Sequence, residues 1–306
     1  MRPRRLASLL LATFLFWLLA SAVAGWLLTS QLVRAPLPRR TDPERAALRD
    51  QLQAPGEGWT RHALSGAQGA ELELWWLHRR KSRGLALLLH GFGDDAWGMA
   101  PMARSLPEWD VAVFTFRGRD RHPEIFSTLG AHERGDVAAV VRFAEAAGLP
   151  RNRMILVASS QGAGTALLAL ADLEAGGRLG GALLEAPFRD LRDAARNHLR
   201  GALGRAEPLT LLAQRIALAR AGRLAGFDPD GVSPLEAARS VHTPVALLTG
   251  DADPVTPLGG VRAIARFLPD LTVVPGAGHC EAASRVAGGW RAWAEVRLSQ
   301  WKVNDP

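Results

Sequence analysis

The chain has a single cysteine, Cys280, so an internal disulfide framework is excluded and cysteine usage carries no information on redox compartment. Its eight histidines show no metal-ligand spacing, and no G-x-x-x-x-G-K-[ST] loop occurs, so neither a metal nor a nucleotide cofactor is implied. Internal repeats and low-complexity tracts are missing. Acidic residues are absent from the first forty positions, which hold Arg2, Arg4, Arg5, Arg34, Arg39 and Arg40. The formal charge of +7 is therefore concentrated at the N-terminus, and the rest of the chain is within one charge of neutral. A basic excess placed like this flanks a membrane segment and meets anionic headgroups. It does not describe a nucleic-acid-binding face, and no nucleic-acid partner is expected.

Charge of either sign is absent from Leu6 to Val33. Within that stretch Leu6 to Leu28 is a run of 23 residues, enough to cross a hydrocarbon core of about 30 Å as a helix. Ala22-Val23-Ala24 has the small-x-small pattern of a signal-peptide cleavage site, but the apolar run continues past it through Trp26, Leu27 and Leu28. Residues 1–33 thus read as an N-terminal transmembrane anchor, with cleavage after Ala24 and a secreted form as the competing reading. The compact Arg2–Arg5 cluster has the character of a signal-type n-region. It points to a single-pass membrane protein with the N-terminus inside and the domain extracytoplasmic. Residues 34–58, with Pro36, Pro38, Pro43 and Pro55, read as a linker carrying a short charged helix over Glu44 to Gln53. The remaining ~250 residues suit one α/β domain, and a chain starting near Gly58 is expected to be soluble and active.

In that domain Trp59–Leu64 and Glu71–Leu77 predict two strands joined by a turn. Leu72, Leu74 and Trp76 of the second alternate with Glu71, Glu73 and Trp75. Thereafter come continuous apolar runs: Leu85–Leu89, Val111–Phe116, Met154–Ala158, Ala182–Leu184, Val245–Leu248 and Leu271–Val274. Such runs belong to parallel strands buried on both faces. Helical patterns alternate with them over Ala96–Ser105, His132–Ala147, Gly162–Ala175, Pro257–Phe267 and Glu281–Leu298. The fold class is α/β, a mostly parallel central sheet with helices on both faces, opened by an antiparallel hairpin. Between about residues 188 and 238 no strand is predicted, only short helical pieces. One, Leu209 to Ala219, carries Leu209, Leu212, Ile216 and Ala219 on one face. An insertion after a strand lies over the C-terminal sheet edge, where open α/β sheets bind ligands, so it reads as a small helical cap.

The chemistry centres on Ala158-Ser159-Ser160-Gln161-Gly162, between a strand and a helix. It is one residue short of the G-x-S-x-G elbow, whose tight turn strains the central residue and lifts its hydroxyl clear of the backbone. Ala158 and Gly162 supply the small neighbours this turn needs. Three further loops follow strands: His90-Gly91-Phe92-Gly93, Thr249-Gly250-Asp251-Ala252-Asp253-Pro254-Val255-Thr256-Pro257, and Pro275-Gly276-Ala277-Gly278-His279-Cys280. Glycines around His279 let an imidazole reach a serine hydroxyl and act as base, then acid. His90 reads as a buried brace of its loop, Cys280 as a small packing residue, and Glu133 and Asp136 as acids at the positive end of a helix. Arg117-Gly118-Arg119-Asp120-Arg121-His122 reads as a solvated charged loop.

With these segments in this order the chain resembles the α/β-hydrolase family over roughly Trp59 to Trp293, and in particular its membrane-anchored Bem46/ABHD12-13-like group. The resemblance implies an α/β-hydrolase fold and a serine hydrolase that cleaves an ester, thioester or amide through an acyl-enzyme, without a cofactor. It makes Ser160 the nucleophile, His279 the base and Asp253 the triad acid, with Asp251 the rival carboxylate, read as a loop brace. The oxyanion hole would be formed by the backbone N–H groups of Phe92 and Gln161. The departures are Ala158 and Ala163 where the family commonly has glycine, and the Arg117–His122 loop where relatives have R-G-H-G-x-S. A membrane tether favours a small-molecule ester or lipid-like substrate. A peptidase or acyltransferase on the same triad, and an inactive hydrolase fold used for binding, stay open as alternatives.

Overall fold

A computed structural model describes residues 3–34, 41–118 and 125–301. Along the chain run α1 (Pro3–Val33), α2 (Asp42–Leu52), β1 (Gly58–Ser65), β2 (Glu71–His78), β3 (Leu85–Leu89), α3 (Ala96–Met99), β4 (Asp110–Phe114), α4 (Glu133–Ala146), β5 (Met154–Ser159), α5 (Gln161–Leu173) and β6 (Gly181–Glu185). They continue as α6 (Leu191–Leu203), α7 (Leu211–Ala225), α8 (Pro234–Ala237), β7 (Val245–Gly250), α9 (Leu258–Ala265), β8 (Asp270–Val274), α10 (Ala282–Arg285) and α11 (Trp290–Gln300). The strands form one sheet in the order β1-β2-β4-β3-β5-β6-β7-β8. The β1–β2 hairpin and the β2–β4 pair are antiparallel, and every pair from β4 to β8 is parallel.

The continuous apolar strands split residue by residue between two cores, because successive side chains point to opposite faces. Leu85, Leu87, Leu89, Leu156 and Ala158 join one core with Val137, Val140, Leu167 and Ile264. Ala86, Leu88, Ile155 and Val157 join the other with Trp97, Trp109, Trp290 and Trp293. With both faces covered, the parallel strands have no solvent side to write into the sequence, which is why they lack alternation.

Two helical expectations change. The segment from Glu281 is two helices, α10 and α11, separated by Gly288 and Gly289, both at positive φ (77° and 84°). The face expected over Leu209, Leu212, Ile216 and Ala219 is not the one α7 buries. α7 begins at Leu211, Ala219 is exposed, and the buried residues are Ala213, Gln214, Ala217, Leu218, Ala221 and Gly222. The reason is that α7 is covered on two sides, by the hydrolase core and by α1. α1 is long and apolar enough to cross a membrane over Ala7–Val33. Its Ala7–Phe16 portion stands clear of the domain, whereas Ser21, Gly25, Thr29 and Val33 are buried in one stripe.

The linker segment is also more than a tether. Leu52 of α2 is buried in the second core, with Leu48 packed against it, and Trp59 Nε1 donates to the Arg49 carbonyl at 3.2 Å. The expectation that the chain from Gly58 suffices is revised accordingly: removing what precedes it would uncover that core. Pro36, Pro38, Arg39 and Arg40, and the Arg119–His122 part of the charged loop, lie outside the described residues. Arg117 is not solvated. It is buried and donates from Nε to Asp136 at 2.8 Å, and also to the Ala67 carbonyl.

Candidate active site

β5 ends and α5 begins with one residue between them, Ser160, at φ 51° and ψ −116°. A left-handed φ is costly for a side chain, and here it is held by hydrogen bonds on both sides. The Ser160 amide donates to the Glu185 carbonyl at 2.9 Å, and its carbonyl accepts from the Gly164 amide at 3.0 Å. The turn runs hard against the end of β3. A Cβ on Gly162 would stand 2.3 Å from the Leu89 carbonyl oxygen, so only glycine fits. Ser159 points elsewhere, its hydroxyl toward Met99 Sδ at 3.6 Å.

The loops after β7 and β8 converge on this serine. Ser160 Oγ is 2.9 Å from His279 Nε2, and His279 Nδ1 is 2.8 Å from Asp253 Oδ2. Asp253 is buried, and its Oδ1 accepts from the amides of Val255 and Thr256 at 2.8 and 2.9 Å. Thr256 Oγ1 donates to Oδ2 at 2.7 Å. Burial alone would raise the Asp253 carboxyl, but the hydrogen bonds from His279 and Thr256 outweigh it and hold it below the ordinary aspartate value. Asp251 faces the other way and accepts from the Gly276 amide at 2.7 Å, bracing the loop that carries His279. His90 is fully buried, with Nε2 accepting from the Phe116 amide at 3.0 Å and Nδ1 2.8 Å from the Gly91 carbonyl. It fixes the loop that presents Phe92.

Three supports were not legible in the sequence. Thr256 is one; its hydroxyl and amide both serve Asp253. Glu133, read as a dipole-compensating acid, is fully buried and gathers Ser127 Oγ and the amides of Thr128 and Gly130 at 2.8–2.9 Å. Glu185, at the end of β6, accepts from the Ala283 amide at 2.8 Å and so ties the segment after His279 to the sheet. Desolvation pushes the Glu185 carboxyl above its ordinary value, against the pull of backbone donors and His279. A raised acid penalises the fold only when ionised, so this cost is absent below the unfolded value of ~4.3 and grows as pH rises through the folded value. Glu185→Gln should therefore melt higher than wild type at pH 8, by roughly 2–4 °C if the relief approaches 1 kcal/mol. The difference should vanish at pH 4; thermal denaturation at both values checks this. The Cys280 thiol, although the residue is exposed overall, is raised by desolvation and by Glu185 and Asp253, and stays protonated.

Ser160 opens into a cleft of about 480 Å³. Phe92, Gln161 and Phe188 bound it near the serine, and Leu191, Leu199 and Leu218 bound it on the helices between β6 and β7. Among the described residues that line it, none is Asp, Glu, Lys or Arg. A larger hollow of about 590 Å³, by Arg61, Glu73, Trp75 and Arg117, contains neither Ser160 nor His279. Ser160 lines the smaller one.

A parallel sheet in this strand order, with a strained serine after its fifth strand, defines a class. About two thirds of the chain, residues 86–288, match the model described as "Alpha/beta hydrolase family", and the chain belongs to that family. No curated protein matches its sequence. Among solved structures it is similar to the esterase Pf2001 of Pyrococcus furiosus, with TM-score 0.65 and 17% identity, over 87% of this chain and 99% of that one. It is similar also to the thermophilic esterase Est2 of Thermogutta terrifontis, with TM-score 0.59 and 17% identity, over 81% and 96%. Pyrococcus horikoshii acylaminoacyl peptidase matches at TM-score 0.54 and 15% identity, over 86% of this chain and 42% of that one. At these identities the likeness is one of fold.

Proposed function

We propose that this α/β hydrolase is a membrane-anchored serine esterase in which Ser160, His279 and Asp253 act as the triad. The observation that carries the reading is the unbroken chain of contacts from Ser160 Oγ through His279 to the buried Asp253, at 2.9 and 2.8 Å. In acylation Ser160 Oγ attacks the ester carbonyl carbon while its proton passes to His279 Nε2. The carbonyl oxygen becomes the oxyanion, facing the backbone N–H groups of Phe92 and Gln161. When the oxyanion collapses, the bond to the alcohol oxygen breaks and that oxygen takes the proton from His279. Water then attacks the acyl-enzyme by the same route, releasing the acid and restoring Ser160. Asp253 holds Nδ1–H of the ring and stabilises the imidazolium without taking its proton. Esters are favoured over peptides because the described residues of the cleft are mostly apolar and include no Asp, Glu, Lys or Arg to hold a peptide terminus or a charged residue. Labelling with a fluorophosphonate probe tests the reading: covalent modification at Ser160 is expected, and an unlabelled protein would leave an inactive hydrolase fold used for binding.

For the chain's organisation we take 1–33 as anchor, 34–58 as connector and 59–306 as the hydrolase domain, with α6 to α8 as its cap. The anchored arrangement supports placement in the Bem46/ABHD12-13-like group, with the domain extracytoplasmic. The free part of α1, Ala7–Phe16, is only about 15 Å long, half a hydrocarbon core. A crossing must therefore use the docked part too, whose outer face, Leu19, Val23, Trp26 and Leu27, is more than half exposed. That brings the exposed Leu203, Leu209 and Leu211 of the cap edge to the lipid. The full chain should remain in membranes through high-salt and carbonate washes, because screening removes headgroup attraction but not a spanning helix. Soluble mature protein beginning at Gly25 would identify a signal peptide instead.

A further inference from the structure

The cleft at Ser160 has a third wall, and the anchor supplies it: Leu28, Gln31 and Leu32 of α1 line the same space as Ser160, Phe188 and Leu218. We infer that the acyl chain of the substrate lies against α1, so that the membrane helix is part of the acyl site and the substrate is a long-chain ester drawn from the bilayer. This rests on the serine-esterase reading above.

The docking of α1 is built by specific residues. Its buried stripe has four-residue spacing through Ser21, Gly25 and Thr29, and these small residues let two helices approach closely. A Cβ on Gly25 would stand 2.8 Å from the Ala213 carbonyl oxygen and from Ile216, so at this crossing the backbones are in contact. Trp17 Nε1 donates to the Leu209 carbonyl at 3.1 Å, and Arg220 lies over the Trp26 ring, 5.3 Å from its centroid. At the far end the Ser127 amide donates to the Val33 carbonyl at 3.0 Å, which pins the last turn beside Leu129 of the cleft. One turn of helix thus has two faces with different partners. Leu27 is bare on the outside, while Leu28, Gln31 and Leu32 face the serine's cleft. A chain leaving the bilayer along α1 reaches Ser160 without crossing water. The cleft's volume falls within the ~300–1,000 Å³ that encloses a small ligand. With apolar walls, each methylene it accepts should raise transition-state binding roughly fourfold.

The full chain in phosphatidylcholine vesicles, treated with a dodecyl fluorophosphonate carrying a diazirine at the chain end, gives the test. After irradiation and tryptic digestion, the probe should be bound to Ser160 and cross-linked to the peptide 6–34. Labelling of Ser160 with cross-links only to the core or cap would overturn the inference and leave the esterase standing. Failure to label Ser160 would sink both. Substitutions give an independent readout in the ratio of kcat/KM for dodecanoyl over acetyl p-nitrophenyl esters. Leu28→Trp and Leu32→Trp should lower that ratio at least tenfold, whereas Leu27→Trp, on the lipid side, should leave it at the wild-type value. An unchanged ratio in Leu28→Trp and Leu32→Trp protein that still labels at Ser160 would count against the wall.

Discussion

Ser160→Ala should lower turnover on any ester by a factor on the order of 10⁶ while leaving the melting temperature unchanged or higher. His279→Ala should be nearly as severe, and the double variant no worse than either alone. In the proposed mechanism the two groups, 2.9 Å apart, share a single proton transfer, so once one is gone the other has nothing to act on. Ser160 sits at φ 51°, a conformation no side chain prefers, and alanine there is no more strained than serine. The folded state therefore survives the loss of the hydroxyl. Ser159→Ala serves as the register control: its hydroxyl faces Met99, and activity should stay within a few-fold of wild type. A dead Ser159→Ala beside an active Ser160→Ala would overturn the assignment of the elbow.

Asp253→Asn is expected to cost roughly 10⁴-fold in turnover. An asparagine that keeps its oxygen on the amides of Val255 and Thr256 presents an amide N–H donor to His279 Nδ1. The ring is then no longer held in the tautomer that accepts the Ser160 proton, and the imidazolium loses its counter-charge. Asp251→Asn should behave differently. Its carboxylate holds the Gly276 amide at the root of the histidine loop, and an asparagine oxygen can still accept there. A modest loss of thermal stability with turnover within about tenfold of wild type is the expected pattern. Steady-state kinetics of both variants on one short ester separate the roles, and a larger turnover loss in Asp251→Asn would reverse them.

The four loops of the site were legible because each follows an apolar strand and carries residue types that do little else in such a place. A serine between small residues at a strand–helix junction, and a histidine among glycines, announce themselves by local backbone need. Choosing Asp253 over Asp251 required a family resemblance, since two carboxylates two residues apart in one loop give the same local signal. Tertiary structure separates them by direction: Asp253 turns inward to Thr256 and His279, Asp251 outward to Gly276. Glu185 and Arg117 were passed over or read as solvated because their partners lie on distant elements, at separations that carry no periodic signal. Glu133 was read as a helix-dipole acid, whereas its carboxylate gathers the loop just before its own helix.

By itself the sequence determined the order and kind of elements, since strand and helix periodicities follow from the backbone geometry of each residue and its neighbours. It also singled out Ser160 and His279 as candidate nucleophile and base, and set the apolar length of α1. Only the tertiary structure decided what α1 touches. A 31-residue apolar helix reads as an anchor whatever surrounds it, because hydrophobicity records that a face avoids water and not which partner removes it. Ser21, Gly25 and Thr29 are small residues spaced by four along that helix. Against the carbonyl of Ala213, Gly25 is the reason the helix can lie close enough to close the side of the cleft at Ser160.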